Sequence, residues 1–169
     1  MKKAISLTLA LVLLCALAVP AMAAGANTAI SSPATSGVMD ITFDVASTYE
    51  VSIPDDVAFS DTTEVTGNIV SLNSGALIDF GETLTVTISS LNFETTYRMK
   101  DNDNASNYLS YTIKKGDTAV STNNAEILSV AAADAYAGSS NSAELKFQAA
   151  QPTISGDYAD ILTFTVAVA

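Results

Sequence analysis

Apolar and polar residues alternate along most of this chain, and turn residues interrupt the alternation at short intervals. Met39, Ile41, Phe43 and Val45 alternate with Asp40, Thr42 and Asp44, the period of a half-buried strand. Tyr49, Val51 and Ile53 continue it around Glu50 and Ser52, until Pro54-Asp55-Asp56 supplies a turn. Short strands are predicted at Asn68–Leu72 and at Ile78-Asp79-Phe80. After Gly81-Glu82, Leu84, Val86 and Ile88 alternate with Thr85, Thr87 and Ser89. Phe93, Tyr97 and Met99 mark a further strand, ended by the polar loop from Asp101 to Asn107. Leu109, Tyr111 and Ile113 form the next, closed by Lys114-Lys115-Gly116-Asp117. Residues 125–136 fit two readings, a strand over Ile127–Ala131 or one helical turn in AAADAY. Leu145 and Phe147 alternate with Glu144 and Lys146. Beyond Ser155-Gly156-Asp157 the last strand carries Leu162, Phe164, Val166 and Val168 on one face, with Thr163 and Thr165 on the other. About 7–9 short strands without a sustained helical period predict an all-β chain, an antiparallel two-sheet β-sandwich. Ile41, Val51, Val86, Ile88, Leu145, Phe164 and Val166 are expected on its core faces.

The N-terminus follows a different rule. Lys2 and Lys3 precede an apolar run from Ala4 to Val19, Pro20 breaks it, and Ala21-Met22-Ala23 presents small residues where a signal peptidase reads. Residues 1–23 are therefore expected to be a signal peptide cleaved after Ala23, with no membrane span left afterwards, because the run is too short and wrongly flanked. Cys15 follows Leu14, where lipid attachment needs a small residue, and the apolar run continues past it. Residues 24–36 are small, polar and without period, a flexible lead into a sandwich domain over residues 37–169. The expected location is secreted, extracellular or on the cell surface.

Composition then narrows the chemistry. Without Cys15 the exported chain has no cysteine, so its stability rests on core and hydrogen bonds rather than disulfides. Loss of Lys2 and Lys3 leaves five basic side chains against 18 acidic ones, a net charge of −13. Such a surface repels nucleic acid and anionic lipid. The absence of His, and of Cys after cleavage, excludes Ser-His and Cys-His dyads and the usual zinc ligation. Paired carboxylates for glycoside cleavage remain formally possible, but a domain of this size rarely forms the required cleft, so no catalytic residue and no enzyme activity are expected.

Two weaker constellations remain. Asp101, Asp103 and Asn107 supply hard oxygens in one loop, as calcium needs, though without the glycine and distant bidentate Glu of an EF-hand. The competing reading is a solvated turn rich in Asx hydrogen bonds. No other cofactor is expected. Tyr108, facing away from the Leu109-Tyr111-Ile113 stripe, and Tyr136, in a small-residue loop, are the aromatics available for stacking on a sugar, but the platform lacks a Trp. Tyr158 is expected to pack its ring inward while its hydroxyl caps nearby backbone.

Three stretches carry a family resemblance: TYEVSIPDDVAF, GETLTVTISS and SGDYADILTFTV. They resemble small secreted proteins of Gram-positive bacteria with an immunoglobulin-like sandwich, and the last is similar to the closing strand of spore-coat-U-like or WxL-like modules. The chain departs from the WxL pattern in having no Trp. The resemblance implies a non-enzymatic structural or adhesive component of the cell surface or matrix, with self-assembly or a cell-wall or surface protein as partner, and it transfers no binding residues. A carbohydrate-binding module and a weakly calcium-dependent surface protein are the alternatives. The strand Val38–Val45 is expected to pair within its own domain. Its alternative is insertion at an open edge of a neighbouring subunit.

Overall fold

A computed structural model describes residues 41–136 and 141–169 of the chain. The expected signal peptide, its cleavage site and the lead over residues 24–36 lie outside the described residues. The chain divides into two units, residues 1–45 and residues 46–169.

In the first unit Ile41–Val45 is not a strand, contrary to the alternation. Ile41 and Phe43 are 83% and 88% exposed, so the expected burial of Ile41 is wrong. Period-two patterning specifies which face a strand would bury. It does not supply the neighbour whose N–H and C=O groups turn an extended segment into a strand.

The second unit is an antiparallel sandwich. Its elements are β1 (Val51–Ser52), β2 (Val65–Leu72), β3 (Thr83–Ser90), β4 (Arg98–Asp101), β5 (Tyr108–Lys115), β6 (Thr118–Val120), β7 (Ala125–Ala131), the one-turn helix α1 (Ala132–Ala135), β8 (Ser142–Ala149), β9 (Tyr158–Ala159) and β10 (Leu162–Val168). The larger sheet has the order β1-β2-β8-β5-β4-β9, with β6 also paired to β5, and the smaller has the order β10-β3-β7. The two pack through a single core. Leu84, Val86 and Ile88 of β3 are fully buried, as are Val70 of β2, Ile113 of β5 and Leu145 of β8, and Phe147 of β8 is nearly so. Alternation along β3 and β8 accounts for this directly, because every second side chain faces the opposite sheet.

The structure departs from the alternation elsewhere for local reasons. Both readings of residues 125–136 hold in succession, a strand to Ala131 and then one helical turn. Ile78-Asp79-Phe80 is a turn closed by the Glu82 N–H donating to the Asp79 carbonyl at 3.0 Å, with Phe80 fully exposed, and only Leu77 bridges to Thr48. Phe93 and Tyr97 precede β4 rather than belonging to it; Tyr97 is buried and its hydroxyl donates to the Thr122 carbonyl at 2.7 Å. Lys114 and Lys115 lie inside β5, and the β5–β6 turn is Gly116-Asp117 alone. In β2 the register shifts between Val65 and Asn68, where Gly67 takes a φ of 81° and donates its N–H to Glu144 at 3.0 Å. A side chain there would strain the bulge, which is why glycine occupies it.

Of the expected core, Val86, Ile88 and Leu145 are fully buried, whereas Val51, Phe164 and Val166 are only half-buried. Two of the three half-buried residues lie on β10.

Candidate functional site

The two edges of the smaller sheet differ. On β7, Ile127, Leu128 and Val130 are buried, the first two side by side where the register against β3 shifts. On β10 the inward residues Leu162, Phe164, Val166 and Val168 are all half-buried. Yet each stands directly opposite a buried residue of β3: Ser90, Ile88, Val86 and Leu84 respectively. One flank of the β10 face is therefore covered and the other is open.

The backbone at that flank is open too. Ala169 and Thr83 exchange both of their hydrogen bonds, at 3.2 and 2.8 Å, and the Leu91 N–H donates to the Ile161 carbonyl at 3.0 Å. In an antiparallel ladder such bonded pairs recur at every second residue, so the odd-numbered residues of β10 bond to β3. The N–H and C=O groups of Leu162, Phe164, Val166 and Val168 point away from it. Among the described residues no strand pairs with them.

Beside this edge lies a groove of about 530 Å³. One wall is Leu162 and Phe164; the other, from the segment after β1, is Ile53, Pro54, Val57 and Phe59 together with the acidic Asp55 and Asp56. Met99, Tyr111 and Phe147, all buried, form its base. Residues 53–59 pair with no strand, and Pro54 among them has no N–H to offer a ladder, so the groove is unclosed on that side. The base is aromatic: the Tyr111 ring lies 6.2 Å from Phe59 and 5.7 Å from Tyr97, and Tyr97 meets Phe93 edge-on at 5.0 Å.

Asp160 holds the lower end of the groove together. Its carboxylate accepts from Ser90 Oγ at 2.6 Å, the Tyr111 hydroxyl at 2.6 Å, the Asn92 amide at 3.0 Å and the Ile161 N–H at 2.8 Å. Ser90 belongs to the smaller sheet and Tyr111 to the larger, so one side chain ties both sheets two residues before β10 begins. Sequence reasoning placed Asp160 within a strand motif without giving it a role. The available signal was a lone carboxylate just ahead of an apolar strand.

Burial, reinforced by the Asp160 carboxylate, pushes the Tyr111 phenol well above its ordinary range, and burial with the same charge raises Tyr97. Both groups keep their protons in the folded chain at a pH where the unfolded chain has released them. Stability is then complete below pH about 10 and falls above it, as the unfolded chain releases phenol protons that the folded chain still holds. Urea unfolding followed from neutral to strongly alkaline pH should show this decline, and Tyr111→Phe should make it shallower. Stability unchanged through the alkaline range would contradict the assignment.

Of the other residues singled out from sequence, Tyr158 lines the groove, whereas Asp101, Asp103, Asn107, Tyr108 and Tyr136 do not. Asp101 is buried, and its oxygens accept the Asp103 N–H and the Asn107 amide, each at 3.0 Å, which holds its carboxyl below the usual range. The Asn107 amide also reaches the Tyr158 hydroxyl at 2.7 Å, and that hydroxyl donates to the Ile154 carbonyl at 3.0 Å, the expected backbone cap. Gly156 fits against this cluster because a Cβ there would stand 2.6 Å from Asp101 Oδ2. The Asp103 side chain is exposed. Among the described residues no three acidic side chains converge as a metal site.

Tyr108 is covered on one face by the Arg98 guanidinium, 4.1 Å from its ring centre. Tyr136 is exposed, at the end of α1, and its carbonyl accepts the Gly75 N–H at 3.1 Å. Register separates the two tyrosines. Tyr136 lies by the Ser142 end of β8, where Leu72 donates to Asn141, and Tyr108 lies beyond the Ala149 end, where Ala150 donates to Ser110. The intervening length of strand is roughly 23 Å, too far for one stacking platform.

No family model matches the sequence, and no curated protein matches it. Among solved structures, the chain is similar to a protein from a chaperone–tip adhesin complex described as vital for synergistic activation of CFA/I fimbriae biogenesis. Identity is 12%, the TM-score is 0.50, and the match covers 70% of this chain. The chain matches 40% of that protein's length. The likeness is one of fold.

Proposed function

We propose that this protein is an exported, non-enzymatic structural or adhesive component of the bacterial cell surface or extracellular matrix, and that its working surface is the open edge of β10 with the groove beside it. The carrying observation is the asymmetry of the smaller sheet. Both edge strands pair with β3 alone, but the apolar side chains of β7 are buried, while β10 sets its row of unpaired backbone donors and acceptors beside four half-buried apolar side chains. Natural sandwiches usually blunt such an edge with charge, proline or a bulge. β10 carries none of these, only threonine and alanine between its apolar positions. An extended polypeptide satisfies both features at once, its backbone completing the ladder and its alternate side chains filling the groove.

The fold's likeness to a member of a fimbrial chaperone–adhesin complex supports a role in surface assembly. The signal-peptide pattern supports export. The chain's lack of His supports a binding rather than a catalytic role. The reading is tested in cells. A tagged chain should fractionate with the cell surface or matrix, and its deletion should weaken surface attachment or matrix cohesion. Retention of the chain in the cytoplasm, or a reproducible hydrolytic activity abolished by changing one carboxylate, would overturn it.

A further inference from the structure

We infer that the segment that completes the β10 edge is Met39–Val45 of a second copy of this chain, so that the protein assembles head to tail by strand addition. The inference rests on the reading of the β10 edge as a polypeptide-binding site and names its occupant.

Three observations point to this segment. The first is length and period. β10 has seven residues with inward apolar side chains at every second position, and Met39–Val45 has seven residues with Met39, Ile41, Phe43 and Val45 at the same period. The second is unmet burial. Ile41, Phe43 and Val45 are 83%, 88% and 48% exposed, which is unusual for large apolar side chains spaced as a strand face. The apolar face of the segment and the open face of β10 are complementary deficits of one chain. The third is charge. A strand added beside β10 places Asp40, Thr42 and Asp44 on the outer face of the smaller sheet, next to Thr163, Thr165 and Ala167. The outward residues of the adjoining β3 are Thr83, Thr85, Thr87 and Ser89, so on these two strands the segment's carboxylates meet no like charge.

The donating segment and the accepting edge are different surfaces, so the contact is heterologous and repeats along an open chain of subunits rather than closing a two-fold dimer. Because Ile41 and Phe43 are exposed, replacing them leaves the core of the sandwich untouched.

The test uses the full chain purified as the cell produces it, with light scattering coupled to gel filtration at high micromolar concentration. A ladder of multimers is expected. Ile41→Glu with Phe43→Glu should yield a monomer that still unfolds cooperatively in urea, and excess synthetic peptide spanning Met39–Val45 should shorten the multimers of the unaltered chain. A monomeric unaltered chain, or multimers indifferent to both the double substitution and the peptide, would overturn strand addition between copies. If a monomeric chain still fractionates with the cell surface, the inference fails while the proposed function stands. A cytoplasmic chain removes both.

Discussion

Phe147→Ala is expected to cost about 3–5 kcal/mol of folding stability, the range for truncating a buried aromatic in a packed core. Phe147 is 3% exposed, lies on the central strand β8 between β2 and β5, and contributes to the base of the groove. Its neighbours belong to a continuous ladder and cannot collapse into the space left behind. Phe164→Ala provides the contrast. Phe164 sits opposite the fully buried Ile88 but is itself half-buried on an unfinished edge, so a smaller loss of about 1–2 kcal/mol follows from the smaller area removed from water. Urea unfolding of both variants as monomers measures the difference. Equal losses would mean that the β10 face is as enclosed as the centre of the sheet, which would remove the case for an open edge. Under strand addition the same Phe164→Ala substitution should also weaken the multimer, because an added strand buries the flank of that ring.

Asp160→Ala is expected to cost a similar amount, about 3–5 kcal/mol, through polar groups rather than a cavity. The substitution leaves Ser90 Oγ and the Tyr111 hydroxyl, both on buried residues, without the acceptor they meet at 2.6 Å. It also releases the Asn92 amide. Each stranded donor keeps its desolvation cost while losing its partner. Asp160→Asn retains a carbonyl acceptor and should cost clearly less. In a double-mutant cycle, Tyr111→Phe should cost little more once Asp160 is already Ala, since the hydroxyl then has no partner to lose. A loss for Asp160→Ala within the ordinary range of a surface change, about 0.5 kcal/mol, would show that the two sheets are held at this end by packing alone.

What the sequence determined by itself was the class of fold and the facing of its inner strands. Period-two alternation is a local property, and wherever a strand is flanked on both sides, as β3 and β8 are, that property suffices to say which residues are buried. The Tyr158 cap was legible for the same reason, because the hydroxyl reaches backbone only four residues away. Pairing is not local. The alternation in Ile41–Val45 is as regular as that in β3, yet one is an exposed segment and the other the centre of a sheet. Only tertiary structure decided that, because a strand exists by virtue of its neighbours. The same holds for β10, whose inward residues read as core until the missing flank was known. Asp160 has partners 49 to 70 residues away in sequence, on two sheets, and nothing in its immediate neighbourhood announces them. The groove is likewise assembled from segments distant in the chain. Alternation identified the apolar faces, and the tertiary pairing determined which of them were left without a partner.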